Sequence, residues 1–189
     1  NREDAYKEIK KLSEKYNKNI NVQNVLFQIS QKINDTKTSI IALKKILLVE
    51  KNNIFYLSQL YKLLLSRGLS DEALKNIDII LKIEKKNYEA LRDKSYIYFL
   101  RKNYIEAKKN IENISKIKDN DYFGNNIKGL IYLKNNSFDE AKTLFEKAIK
   151  RNNQYIDSYN NLGACLLELE KLSEAQKIFN DAYKIDKKN

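Results

Sequence analysis

Phe138-Asp139-Glu140-Ala141-Lys142-Thr143-Leu144-Phe145-Glu146-Lys147-Ala148 returns 34 residues later as Leu172-Ser173-Glu174-Ala175-Gln176-Lys177-Ile178-Phe179-Asn180-Asp181-Ala182. In both stretches a small residue is followed by an aromatic four places on and by another small residue three places after that. Places three and four apart are neighbours on a helix, so Ala141, Phe145 and Ala148 lie on one face. The phase extends toward the amino terminus. Asp71-Glu72-Ala73 and Ile105-Glu106-Ala107 precede at multiples of 34, Ser39 fills the slot before them, and Asp4-Ala5 stands in register at the start. The bulky column reads Ile9, Leu43, Ile77, Ile111, Phe145, Phe179, and the next reads Leu12, Ile46, Ile80, Ile114, Ala148, Ala182. A fixed period of this length is the signature of a repeat architecture.

Upstream of each small–bulky face lies a second helical pattern: Leu60, Leu63 and Leu64; Leu130, Ile131 and Leu133; Leu162, Cys165, Leu166 and Leu169. Short breaks separate the two patterns at Ser66-Arg67-Gly68, Arg101-Lys102-Asn103, Asn135-Asn136-Ser137 and Glu170-Lys171. Asn and Gly there suit a helix end and a tight turn. Asn103 with Glu106, and Ser137 with Glu140, have the spacing of an N-cap with its reciprocal Glu. Each unit is therefore two antiparallel helices, A and B. With starts at Ile20, Ile54, Tyr88, Tyr122 and Ile156, the units span 20–53, 54–87, 88–121, 122–155 and 156–189, and 1–19 supply the B helix of a partial unit. The expectation is eleven helices, no strands, and a single array over 1–189 with no dividing linker.

The pattern resembles the tetratricopeptide repeat (TPR). In the last unit Tyr159-Asn160-Asn161-Leu162-Gly163 opens helix A, and Glu174-Ala175, Phe179 and Ala182 mark helix B. The fourth unit matches at Gly129, Tyr132, Phe138, Glu140-Ala141, Phe145 and Ala148. The first three depart from it: Phe27, Tyr61 and Ser95 replace the helix-A Gly, and Ile46, Ile80 and Ile114 replace the later Ala. The family's closing Pro is absent; Lys51, Lys85, Asp119, Asn153 and Lys187 stand there. The resemblance implies an all-α, right-handed superhelical solenoid of helix-turn-helix repeats, with the larger residues opening the A–B contact in the first half.

Composition narrows the chemistry. The 189 residues contain no His, Pro, Trp or Met, one Cys and four Gly. Without His there is no imidazole base, ligand or pH switch. A lone Cys makes no internal disulfide, and Cys165, beside Leu162 and Leu166, reads as a small core side chain. The glycines form no phosphate-cradling loop. No paired carboxylates or nucleophile–base pair stand out, so the chain is expected to be non-enzymatic, with no cofactor and no metal. No apolar run approaches the ~20 residues that cross a bilayer. Asn1-Arg2-Glu3-Asp4 is neither a signal peptide nor a natural start, which predicts a chain trimmed from a longer one, cytoplasmic by default.

By resemblance, places 2, 5, 6, 9, 12 and 13 of each unit face a concave groove lined by A helices. Unit one is polar there: Asn21, Asn24, Gln28, Gln31 and Lys32. Unit two offers Phe55, Lys62 and Leu65; unit three Arg92, Asp93, Tyr96 and Phe99; unit four Phe123, Asn126, Ile127, Leu130 and Leu133; unit five Asp157, Asn160, Asn161, Ala164 and Glu168. An apolar middle with polar ends marks a protein contact. The first reading is a scaffold that docks a peptide or amphipathic helix on Phe55, Tyr96, Phe123, Ile127 and Leu130. Arg92, Asn126 and Asn160 would supply hydrogen bonds, and Lys62, Phe99 and Asn161 complete the expected groove. The competing reading buries these side chains between neighbouring A helices. The place-2 column has no Lys and the place-6 column (Val25, Gln59, Asp93, Ile127, Asn161) no Arg, so the carboxylate clamp of chaperone-tail-binding TPR proteins is not expected.

Lys and Arg number 36 against 25 Asp and Glu, a formal charge of +11. The lysines cluster on B helices and the turns after them, which reads as a solvated exterior. RNA binding is the rival, opposed by only five Arg and by acidic groups in the groove. A third reading is the substrate-selecting arm of a larger enzyme such as a glycosyltransferase. The last B helix presents Ile178, Phe179, Tyr183 and Ile185, so the array is expected to continue or to self-associate end to end.

Overall fold

Every A helix ends on a residue in the left-handed region, and those residues stand 34 apart. Asn34, Gly68, Lys102, Asn136 and Glu170 have φ of 58°, 72°, 60°, 60° and 58°. The next amide folds back five residues in each case: Asp35 N–H donates to Ser30 O, Leu69 to Leu64 O, Asn103 to Tyr98 O, Ser137 to Tyr132 O and Lys171 to Leu166 O. The left-handed residue makes the shorter bond, as in Gly68 N–H to Leu65 O at 2.9 Å. This paired closure, the Schellman motif, satisfies the last helical carbonyls and reverses the chain. Five copies turn five A helices back onto five B helices.

The computed structural model describes residues 2–187. In chain order the helices are α1 (Arg2–Lys15), α2 (Ile20–Lys32), α3 (Thr36–Val49), α4 (Ile54–Ser66), α5 (Ser70–Ile83), α6 (Tyr88–Leu100), α7 (Tyr104–Ser115), α8 (Tyr122–Lys134), α9 (Phe138–Arg151), α10 (Ile156–Glu168) and α11 (Leu172–Asp186). All five A helices, α2 to α10 in even numbers, begin at the expected unit starts. Among the described residues there are eleven helices and no strand. No helix among them is long and apolar enough to cross a membrane. The fold is an all-α array of helix-turn-helix repeats.

The contacts divide the chain into two units, residues 1–90 and 91–189, with the boundary inside α6 rather than at a linker. In the first unit Ala42, Leu43, Ile46, Leu57, Leu64, Ala73, Ile77 and Ile80 are buried between paired helices. Its first repeat replaces part of that apolar contact with a buried Ser30–Ser39 hydroxyl bond of 2.7 Å. In the second unit Ala107, Ile111, Phe123, Ile127 and Ile131 form one cluster, and Ala141, Phe145, Leu162, Cys165 and Leu166 form the next.

The residues that replace Gly at place 8 are buried against place 24 of the paired B helix. Where place 8 is Gly129, place 24 is Phe145, which packs over it. Where place 8 is Phe27, Tyr61 or Ser95, place 24 shrinks to Leu43, Ile77 or Ile111, and all six of these side chains are buried. The smaller place-24 partner gives back part of the added volume at Phe27 and Tyr61 and nearly all of it at Ser95. One expected cap fails: Asn103 accepts from Glu106 N–H at 3.2 Å, but the Ser137 hydroxyl makes no capping bond. At the far end Phe179 and Tyr183 are exposed as expected, whereas Ile185 is buried with Tyr159 and Ala182.

Candidate functional site

Within the second unit, three successive A helices bound one cleft of about 490 Å³. Helix α6 contributes Arg92, Asp93 and Tyr96; α8 contributes Tyr122, Phe123, Asn126, Ile127 and Leu130. Asp157, Asn160 and Asn161 come from α10, and Tyr155 from the turn before it. Most of these occupy places 2, 5, 6 and 9, one stripe of each helix.

The floor is part of the core. Ile127 is 1% exposed and Phe123 8%, both in the cluster under α8. Asn126 is also buried, and its carbonyl oxygen accepts from Ser158 Oγ at 3.1 Å and Asn161 Nδ2 at 3.0 Å. Both bonds reach across to α10 and use the amide oxygen, leaving the N–H groups of Asn126, a cleft-lining residue, as its donors. Aromatic rings make the walls. Tyr96 meets Phe123 edge to face at 6.4 Å between ring centres, and Tyr122 meets Tyr155 at 5.0 Å. Arg92 lies 5.9 Å from the centre of the Phe123 ring, and both its Nε and Nη2 reach Asp93 Oδ1 at 2.8 Å.

Burial raises the Tyr155 phenol well above its ordinary pKa, and the neighbouring Asp157, Tyr122 and Tyr96 add to the rise. The group therefore stays protonated and serves as a hydrogen-bond donor, held to Asp157. The cleft thus combines apolar walls, polar amides and one exposed carboxylate, the features that orient a peptide chain.

The TPR family model matches residues 124–188, spanning α8 to α11. Over that stretch the sequence carries tetratricopeptide repeats, and the whole chain shares the fold of such proteins. Its fold resembles that of a TPR protein from Parabacteroides merdae ATCC 43184, at 17% identity and a TM-score of 0.79, over 95% of this chain and 72% of that one. MamA from Desulfovibrio magneticus RS-1, residue 41 to the end, aligns at 18% identity and a TM-score of 0.72, over 90% of this chain and 96% of that one. YrrB, described as a TPR protein with an unusual peptide-binding site, aligns at 14% identity and a TM-score of 0.62, over 94% of this chain and 91% of that one. No curated protein matches the sequence. At these identities the likeness is one of fold.

Eight of the eleven expected groove residues line the cleft: Arg92, Tyr96, Phe123, Asn126, Ile127, Leu130, Asn160 and Asn161. Phe99 does not; its ring stacks on Tyr96 and tilts against Tyr104 at 5.9 Å. Phe55 and Lys62 lie in the first unit, Phe55 exposed against Tyr56 and Lys62 paired with Glu89 at 2.8 Å. The groove residues differ in burial. Ile127, Phe123 and Asn126 are buried, while Tyr96 and Asn160 stand open.

Tyr122 and Tyr155 were not expected, though Tyr155 has a sequence signal. Place 34 caps the next A helix and reads Asn19, Asn53, Asn87, Asp121, Tyr155. The first four accept a bond from the amide three residues on, at 3.1, 3.3, 3.0 and 2.9 Å. Tyr155 makes no such bond. Asp93 and Asp157 were on the expected stripe. Cys165 is buried, its thiol donating to Phe138 O at 3.1 Å, and burial pushes its pKa up. It stays an inert thiol. Among the described residues no three His, Cys, Asp or Glu converge as metal ligands.

Proposed function

We propose that this chain is a non-enzymatic interaction scaffold, and that the cleft of its second unit holds a peptide segment of a protein partner. The observation that carries this reading is Tyr155. Four repeats spend place 34 on a capping Asn or Asp, and the fifth spends it on a cleft wall, the ring meeting Tyr122 and the hydroxyl Asp157. A lost cap is worth about 1 kcal/mol, and a column that exchanges its cap for a cleft wall points to a site. The buried Asn126 amide supports the same reading, because its N–H groups suit a backbone carbonyl. So does the peptide-binding site ascribed to YrrB.

The test is a peptide-display selection on the intact chain, followed by affinities for Tyr96→Ala and Asn160→Ala. Both side chains are exposed, so their truncation leaves the core intact; Phe123→Ala would not. Hot-spot truncation costs roughly 1–4 kcal/mol of binding. Unchanged affinity in the double variant rejects the cleft.

A further inference from the structure

The second unit carries another cleft, built from different side chains. It has a volume of about 660 Å³ and lies between the α7–α8 turn, α8 and α9. Lys128 on α8 and Lys147, Lys150 and Arg151 on α9 line it, with Asp119 the one carboxylate. Among the described residues none of these four cations makes an ion pair, whereas Lys118 and Lys142 of the same unit pair with Asp121 and Glu146. Four cations against one carboxylate leave three positive charges gathered in one concavity.

The repeat register shows that these charges are placed. Place 7 reads Leu26, Leu60, Lys94, Lys128, Leu162, and the three leucines are buried core residues. Lys94 shares the departure, but its ammonium lies 5.9 Å from the centre of the Tyr98 ring. Lys128 faces the cleft. Place 30 reads Val49, Ile83, Ile117, Arg151, Ile185, so a cation interrupts a second apolar column at the same cleft. Arg151 is one of only five arginines, so the lysine-rich composition does not supply it. Cations at the end of α9 complement its exposed carbonyls, but Lys128 sits mid-helix, where the dipole offers nothing. The Asn120 and Asn125 amides, tied to each other at 2.8 Å, add polar lining from the turn and α8.

We propose that this cleft binds the phosphoryl oxyanions of a small diphosphate-type ligand. The planar Arg151 fork grips one phosphoryl group, and Lys128, Lys147 and Lys150 neutralise the remaining charge. A single phosphoryl group, at about −1.5 to −2, leaves part of the surplus unmatched. The site is independent of the peptide cleft, and either can fail without the other.

The test titrates the full chain with inorganic pyrophosphate at ~0.15 M salt, where diffuse surface attraction is screened. The expected result is saturable binding that perturbs the Lys128 and Arg151 amides. Lys128→Leu and Arg151→Ile restore the residues of sister repeats, so both variants fold, and each weakens binding about tenfold or more. The control Lys7→Gln/Lys75→Gln removes two exposed charges outside the cleft and keeps affinity within about twofold. A control that loses as much as the cleft variants overturns the site, as does a non-saturable response. A single-stranded oligouridylate forms the second arm, separating a free diphosphate from a nucleic-acid backbone. Binding of the oligonucleotide without a pyrophosphate response overturns the proposal.

Discussion

Gly129→Ala is the substitution whose cost the structure defines most closely. A Cβ built on Gly129 meets Phe145 Cε1 at 2.6 Å, Cδ1 at 2.8 Å and Cζ at 3.0 Å. The ring must retreat by close to an ångström to restore van der Waals contact. It has nowhere to go: Phe145 is 0% exposed and packed with Leu162, Cys165 and Leu166. Overpacking of this kind costs about 1–3 kcal/mol, against which better helix propensity returns up to about 1 kcal/mol. The net loss is about 1–2 kcal/mol, or roughly 2–8 °C in melting temperature for a chain of this size. Gly163→Ala is the comparison, with Phe179 Cε1 even nearer at 2.5 Å but the ring 37% exposed and able to swing out. It should be close to neutral. Adding Phe145→Ile to Gly129→Ala copies the bulky-place residue of the third repeat and should recover much of the loss. The double-mutant cycle should show a favourable coupling of about 0.5–3 kcal/mol. Thermal and urea denaturation of the four proteins settles it. Additive effects, or a Gly129→Ala protein as stable as the parent, would refute the volume-trade reasoning.

Lys102→Gly and Glu170→Gly should each stabilise the chain by up to about 1 kcal/mol, because both residues hold φ near 60° where only glycine is unstrained; Gly68→Ala should cost a similar amount, all read from melting curves. Tyr155→Asn should cap α10 and slow amide exchange in its first turn, gaining about 1 kcal/mol there. The lost ring contact with Tyr122 offsets most of that gain, so stability stays near neutral while peptide binding falls. Asp35 accepts from Tyr6 at 2.5 Å and from Thr38 N–H at 2.9 Å, bonds that hold its carboxyl at about 2 rather than 3.8. A depressed carboxylate contributes above about pH 4 and loses its contribution as pH falls toward 2. The group is partly open to solvent, so the effect stays below about 1 kcal/mol. Exchange protection in α1 should weaken across that window in the parent and not in Asp35→Asn.

Helix number and helix starts were legible because they rest on a strict period, which each column reports several times over. The left-handed turns were only half legible. Gly68 and Asn136 announce themselves, but Lys102 and Glu170 adopt the same φ under the force of the Schellman closure, which local propensity does not reveal. The cleft was legible as a stripe. Its depth was not, since the burial of Phe123 and Ile127 depends on how adjacent repeats nest. Phe99 faces the right way on its helix yet is claimed by Tyr104, a side chain from the next element that no single-helix pattern can weigh.

A repeat protein carries its own controls, and departures from its columns fall into two kinds. Phe27, Tyr61 and Ser95 break the Gly rule at place 8, but each break is answered at place 24 by a smaller partner, and the core remains closed. A departure answered inside the same helical pair restores packing and calls for nothing beyond the fold. Tyr155 and Lys128 are different. No other residue caps α10 through its side chain, and no carboxylate meets the Lys128 ammonium where sister repeats bury leucine. Both departures lie in the second unit, and each opens on a cleft. Folding stability alone would favour Leu at place 7 and is indifferent between Asn and Tyr at place 34, so what selects Lys128 and Tyr155 is to be sought in the clefts they open on.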